Sequence, residues 1–173
     1  ISESAKRVSK KARIHIEVDT GMSRGGFLDE WKDLLTEDFA QVEVIGIFSH
    51  FARADEPGEQ QNIDQLQCFK QMVHELQAIG IDPPIKHLAN SAATIKDSTS
   101  YFTMVRVGIA MYGLTPDLTH LGTSKDLGLR PVGQLRAKLH LVKRVPAHSP
   151  VGYGASAITQ SDTKLGVVAM GYA

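Results

Sequence analysis

The sequence predicts an α/β fold in two parts: a parallel sheet built from repeated strand–helix units, closed as a barrel or open and doubly wound, then an antiparallel β region. Three observations predict it. From residue 13 to about residue 114, stretches of apolar period two alternate with stretches of period three to four. After "LRPVG" at residues 129–133, strand-like stretches follow one another with no helix between them. Polar and glycine-rich clusters fall at the C-terminal ends of strands, where barrels keep their sites.

The elements follow in order. The opening "SESAKRVSKKA" reads as the tail of a helix, and "RIHIEVD" (13–19) as a strand of period two. Helical spacing follows in "FLDEWKDLLTE" (27–37), and "VEVIGIFSHF" (42–51) is strand-like again. Ile63, Leu66, Phe69, Met72, Val73 and Leu76 recur every three or four residues until Gly80 and Pro83-Pro84 end that helix. "IKHLA" (85–89) is a short strand, "NSAATIKD" (90–97) a short helix with Asn90 as N-cap, and "FTMVRVG" (102–108) a further strand. "QLRAKLHLVKRV" (134–145) and "KLGVVAMGY" (164–172) are strands separated by Pro146, Pro150 and "GYG". The boundary is placed between residues 1–118 and 119–173, within a transition spanning 115–131.

Composition narrows the function. The chain has 173 residues, a formal net charge of +0 and 42% hydrophobic residues, which suits a globular core and points to neither nucleic acid nor an acidic ligand surface. Cys68, the single cysteine, sits among Leu66, Phe69 and Met72 and reads as a packed thiol, so a disulfide framework is excluded and a reducing compartment fits. No apolar run approaches the roughly 18 residues of a membrane span. A cytoplasmic protein is expected, with no metal, nucleic-acid or membrane partner. Ile1 in place of Met, and an apolar strand that stops at Ala173 without a turn, read as the cut ends of an internal piece.

In "RIHIEVD", Ile14, Ile16 and Val18 share one face and His15, Glu17 and Asp19 the other. The polar face suits either a barrel lumen opening onto a site or an edge strand facing water. "DTGMSRGG" (19–26) with Arg24 follows that strand, and "SHFARAD" (49–55) with His50 follows the next. "HLANSAA" (87–93) and "VRVGIAMYG" (105–113) lie at the two strand ends after that. A lone strand-end histidine is commonly a structural hydrogen-bonder, whereas four such clusters in register favour a common site. Asn90-Ser91 opens a helix and Gly108-Ile109 begins another short segment, so backbone N–H groups and a hydroxyl could converge on a phosphate, or could simply cap. In "VGYGAS" (151–156) the glycines on both sides of Tyr153 suit a phenol presented at a turn to another body.

"VDTGMSRGG", "SHFARAD", "HLANSAA", "VRVGIAMYGL" and "VGYGAS", in this order and at these spacings, resemble the alanine racemases, and the resemblance covers nearly the whole chain. It implies the later part of a (β/α)8 barrel followed by the start of an antiparallel β domain, pyridoxal 5'-phosphate as cofactor and an amino-acid substrate. It also implies a homodimer in which Tyr153 acts across the interface. Tyr153 is then an acid/base for the alanine Cα proton, in two-base chemistry that supplies D-alanine for peptidoglycan. Arg106 faces the pyridine nitrogen, His87 orients Arg106, and His50 lies against the ring; Asn90, Ser91, Gly108 and Ile109 hold phosphate and ring. Arg24 binds the substrate carboxylate and the cofactor phenol oxygen, and Asp55 and Tyr172 line the substrate entrance.

Two departures stand out. The lysine that holds the cofactor as a Schiff base has no motif here: Lys32, Lys70 and Lys96 fall in helical, exposed positions, so the chain alone is expected to be inactive. Glu17 stands where many relatives carry a carboxylated lysine, and is expected to brace Arg24 through a charge-assisted pair. Other readings are a racemase of this fold for serine or lysine, a noncatalytic pyridoxal-phosphate carrier, which "VGYGAS" and the strand-rich tail disfavour, and a plain phosphate-binding barrel module.

Overall fold

The structure is a computed structural model that describes residues 1–171. It divides into two units, Ile1–Val132 and Gly133–Ala173.

In the first unit, helix α1 (Ser2–Arg7) leads into β1 (Ala12–Glu17), then α2 (Trp31–Leu34), β2 (Val42–Phe48), α3 (Gln60–Ala78), β3 (Ile85–His87) and α4 (Ser91–Lys96). The three strands pair in parallel in the order β1-β2-β3. The period of two in β1 holds: Ile16 and Val18 are buried in one cluster with Ile47, whereas His15 is exposed. Across the opposite face Glu17 pairs with Phe48 and Phe48 with His87. Phe69, Met72, Val73 and Leu76 of α3 lie on a single helical stripe and join that cluster. Gly80 ends the helix at φ +84, with Gly80 N–H bonded to the Gln77 carbonyl and Ile81 N–H to the Leu76 carbonyl, a Schellman arrangement.

Three expectations are corrected. The helix expected over residues 27–37 narrows to α2, because the chain tightens into short turns through Thr36 N–H to the Asp33 carbonyl and Glu37 N–H to the Leu34 carbonyl. The strand expected in "FTMVRVG" does not form. Phe102 turns the chain at φ 49, and Thr103 and Arg106 donate only separated bonds to the Lys86 and Ala89 carbonyls, too far apart for a ladder. Residues 119–132, read as linker, fold with the first unit: Leu121 is buried in its core, and Val132 N–H bonds to the Tyr112 carbonyl at 3.2 Å. Gly113, at φ +79, lets the Arg130 backbone lie where a Cβ would stand.

The second unit is antiparallel, as its composition predicts. Strand β4 (Leu139–Val145) pairs with β7 (Thr163–Val168), and β5 (Pro150–Val151) with β6 (Ala157–Ile158). The first of these strands starts at Leu139 rather than at Gln134. Among the described residues no helix is long and apolar enough to cross a membrane.

Candidate active site

The polar face of the β1–β3 sheet is organised around Arg106. Its Nη1 donates to His87 Nδ1 at 2.6 Å and to the His87 carbonyl at 3.1 Å; its Nη2 donates to the Ser49 carbonyl at 2.6 Å and to His50 Nδ1 at 3.0 Å. Four terminal N–H groups thus have four acceptors, and among the described residues Nε–H has none. Because a guanidinium can only donate, both Nδ1 atoms are acceptors, and each neutral imidazole carries its proton on Nε2. The electrostatics agree. Burial first, then the charges of Arg106 and His15, pushes His87 down to about 4, and burial with Arg106 and Arg24 lowers His50. Burial also lowers Arg106, with Glu17 opposing. Phe48 stacks on His87, rings 4.8 Å apart and 3° from parallel, and the Arg106 guanidinium lies 5.4 Å from the Phe48 centroid.

The turn after β1 is built on Asp19. Its Oδ1 accepts from Gly21, Met22 and Ser23 N–H at 2.8, 3.0 and 3.2 Å. Burial works to raise its pKa, and these three bonds outweigh it and hold the carboxyl below the usual range. Asp19 therefore shapes the loop rather than projecting into a site. Gly26, at φ +102, has the Val18 and Asp19 backbone where a Cβ would be, which lets Phe27 bond back to the Glu17 carbonyl. Arg24, in the turn so closed, is exposed, and its charge still reaches His50 and Arg106. The expected Glu17–Arg24 pair is absent among the described residues: Arg24 is exposed, and the Glu17 carboxylate lies beside Gly25.

Gln65, which the periodicity argument passed over, ties two loops to α3. It is 1% exposed; Nε2 donates to the His50 carbonyl at 2.9 Å and to Thr20 Oγ1 at 3.3 Å, while Oε1 accepts from Ala52 N–H at 2.9 Å. The available signal was a polar residue on the stripe that continues through Phe69, Met72 and Leu76. Phe48, which lies against Arg106, has no signal in the sequence beyond its place in an apolar strand.

Past β3, Asn90 caps α4 as expected, its Oδ1 accepting from Ala93 N–H at 3.1 Å. Ser91 Oγ accepts from Gly108 N–H at 2.8 Å and Ala110 N–H at 3.4 Å, so these donors already converge on one oxygen. Ile109 begins a 3-10 turn, Ile109–Tyr112, and a Cβ on Gly108 would meet only Ser91 Oγ, at 3.8 Å. His50, Asp55, Asn90, Ser91, Arg106, Gly108 and Ile109 line one cleft of about 310 Å³. Seven residues expected at a site are thus brought together, with His87 contacting Arg106 from β3. Arg24 is not among the cleft residues, and no lysine is; Lys32, Lys70 and Lys96 are exposed on their helices.

In the second unit, Tyr153 opens a 3-10 turn and is 94% exposed. Gly152 and Gly154 have φ 71 and 69, so the presentation inferred from "VGYGAS" rests on left-handed backbone at both neighbours. Tyr172 lies outside the described residues.

Comparison with known proteins follows the two units. The family model for the alanine racemase N-terminal domain matches residues 1–116, and that for the C-terminal domain matches residues 132–173. The alanine racemase of Streptomyces coelicolor is 40% identical over 180 residues, covering 100% of this chain and 46% of that protein. The chain spans about half the length of the curated relatives it matches. The crystal structure of alanine racemase from D-cycloserine-producing Streptomyces lavendulae has a TM-score of 0.85 at 40% identity, over 95% of this chain and 44% of that one. The Bartonella henselae alanine racemase, solved with covalently bound pyridoxal phosphate, has a TM-score of 0.78 at 30% identity, over 99% of this chain and 46% of that one.

Proposed function

The chain belongs to the alanine racemase family, and from that premise we propose that it is part of a pyridoxal-phosphate-dependent isomerase that interconverts L-alanine and D-alanine and supplies D-alanine for peptidoglycan. The first unit contributes the later part of a (β/α)8 barrel, and the second the start of the β domain. The full-length enzyme is a homodimer in which Tyr153 of one subunit completes the site of the other. A cytoplasmic, reducing compartment suits the free Cys68.

The observation that carries this reading is the arrangement of Arg106, whose terminal N–H groups are tied to Ser49, His50 and His87 in a cleft lined by Ser91, Gly108 and Ile109. That donor set fits pyridoxal phosphate. The Ser91 hydroxyl and the backbone at Gly108 and Ile109 suit the phosphate, the remaining Arg106 donor suits an unprotonated pyridine nitrogen, and His50 and Asn90 stand beside them. When bound, the cofactor supplies a sink for the electron pair at the amino-acid Cα. Arg106 keeps its own proton and only donates a hydrogen bond, which tempers that sink and disfavours side reactions such as transamination. His87, neutral and accepting through Nδ1, fixes the plane of the guanidinium. Arg24 binds the substrate carboxylate, and Asp55 lines the way in. Tyr153 takes or returns the Cα proton on one face, and a lysine outside this chain serves the other. The chain alone is therefore inactive.

The test uses the full-length protein loaded with pyridoxal phosphate. D-alanine should form from L-alanine, and Tyr153→Phe should slow that direction by a factor of roughly 10² or more while the bound-cofactor absorbance persists. A loaded wild-type protein that forms no D-alanine would sink the reading.

A further inference from the structure

We propose that His15 is a positioning residue for Arg106, seated on Gly46 and acting through His87. The proposal rests on the reading of Arg106 as the cofactor's partner. Three independent features place the His15 ring. Its Nδ1 lies 3.0 Å from His87 Nε2. The β1–β2 register slips between Ile14 and His15, a local irregularity that re-aims the side chain. Opposite it in the central strand is Gly46, and a Cβ there would collide with the His15 ring at Nδ1, Cε1 and Cγ. Gly46 is not among the glycines with positive φ, so its need here is for space rather than for backbone conformation.

The direction of the bonds follows from the arginine. Arg106 Nη1 can only donate, so His87 Nδ1 accepts and His87 carries its proton on Nε2. That proton has one acceptor among the described residues, His15 Nδ1, so His15 in turn carries its proton on Nε2. The chain Arg106 to His87 to His15 therefore runs one way across the polar face of the sheet. Stacking on Phe48 holds the His87 plane, but stacking does not choose between tautomers. Arg106 makes that choice at Nδ1, and His15 secures it by accepting at Nε2. Without His15, the Nε2–H of buried His87 loses its partner, the tautomer is held by Arg106 alone, and the acceptor that orients Arg106 is less firmly fixed.

Three variants of the full-length protein test this. His15→Phe keeps a ring without an acceptor, His15→Asn keeps an oxygen at the Nδ1 position, and Gly46→Ala displaces the ring. In cofactor-free protein carrying ¹⁵N-labelled histidine, wild type and His15→Asn should hold His87 as the Nε2–H tautomer. His15→Phe and Gly46→Ala should show a tautomer mixture. The dissociation constant for pyridoxal phosphate should rise roughly ten-fold in those two, as expected for one lost polar bond, and stay near wild type in His15→Asn. If Gly46→Ala does not fold, the His15 pair decides. His15→Phe with either the tautomer or the affinity unmoved overturns the proposal. If the tautomers shift as expected but no variant, wild type included, binds the cofactor, the positioning role stands and the proposed function falls.

Discussion

The two faces of the β1–β3 sheet are held by different physics. On one, Ile16, Val18 and Ile47 are 3%, 1% and 0% exposed and share a cluster with Phe69 and Leu76. Any apolar side chain of about the right volume serves there, because burial has no preferred direction. On the other, Phe48 and His87 lie against Arg106 with His15 behind His87, and each polar contact depends on which atom donates and which accepts. The difference teaches that the apolar face secures the sheet while the polar face is specified bond by bond. The two should fail in different ways.

Ile47→Ala should produce the largest effect on stability. Ile47 is fully buried, so truncation should cost about 2–5 kcal/mol by chemical denaturation of the full-length protein. The folded fraction should bind pyridoxal phosphate as wild type does. Cofactor affinity that collapses along with stability would break the separation of the faces.

Gln65→Leu should be intermediate, and it tests the seam. Gln65 sits on the buried stripe of α3 yet holds the His50 carbonyl and Ala52 N–H, so Leu strands both groups at about 1–3 kcal/mol. Because His50 also accepts from Arg106, cofactor affinity should weaken several-fold as well. A loss of stability with unchanged affinity would assign Gln65 to the core alone.

Mild acid should have the smallest effect, and should act on the polar face only. His87 is pushed down to about 4 and His50 is also lowered, so below the ordinary value of 6.5 the unfolded chain binds more protons than the folded one. The stability these histidines contribute is complete above that value and is lost as pH falls toward about 4. From about pH 7 to about pH 5.5 the loss should be on the order of 1 kcal/mol, less where solvent screens it. Arg106, His15 and Phe48 all face His87, and none supplies a negative charge that would reverse the sign. Ile47→Ala should show the same slope of stability against pH, and His87→Asn should flatten it.

Elements whose signal is local were legible in the chain itself. The alternation in "RIHIEVD", the stripe of α3 with its Gly80 stop, and the Asn90 cap are each read within a few neighbouring residues. The motif order led to the family and to the residues that line the cleft. The "FTMVRVG" strand failed because its apolar run is compatible with a strand, while pairing depends on Phe102 and on what lies beside it. The Glu17–Arg24 brace failed because closeness in sequence does not decide which way a glycine-rich turn points a side chain.

The periodicities, the caps, the change from mixed to antiparallel organisation and the ordered motifs are readable from the chain alone, since these depend on bonds and spacings within one turn or strand. That Gln65 bridges two loops, that Asp19 is spent on its own turn, and that Gly46 makes the room in which His15 meets His87 emerges from the packing in three dimensions. Those outcomes depend on directional bonds between residues as far apart as His15 and His87, 72 positions along the chain, and no local spacing encodes an angle between them.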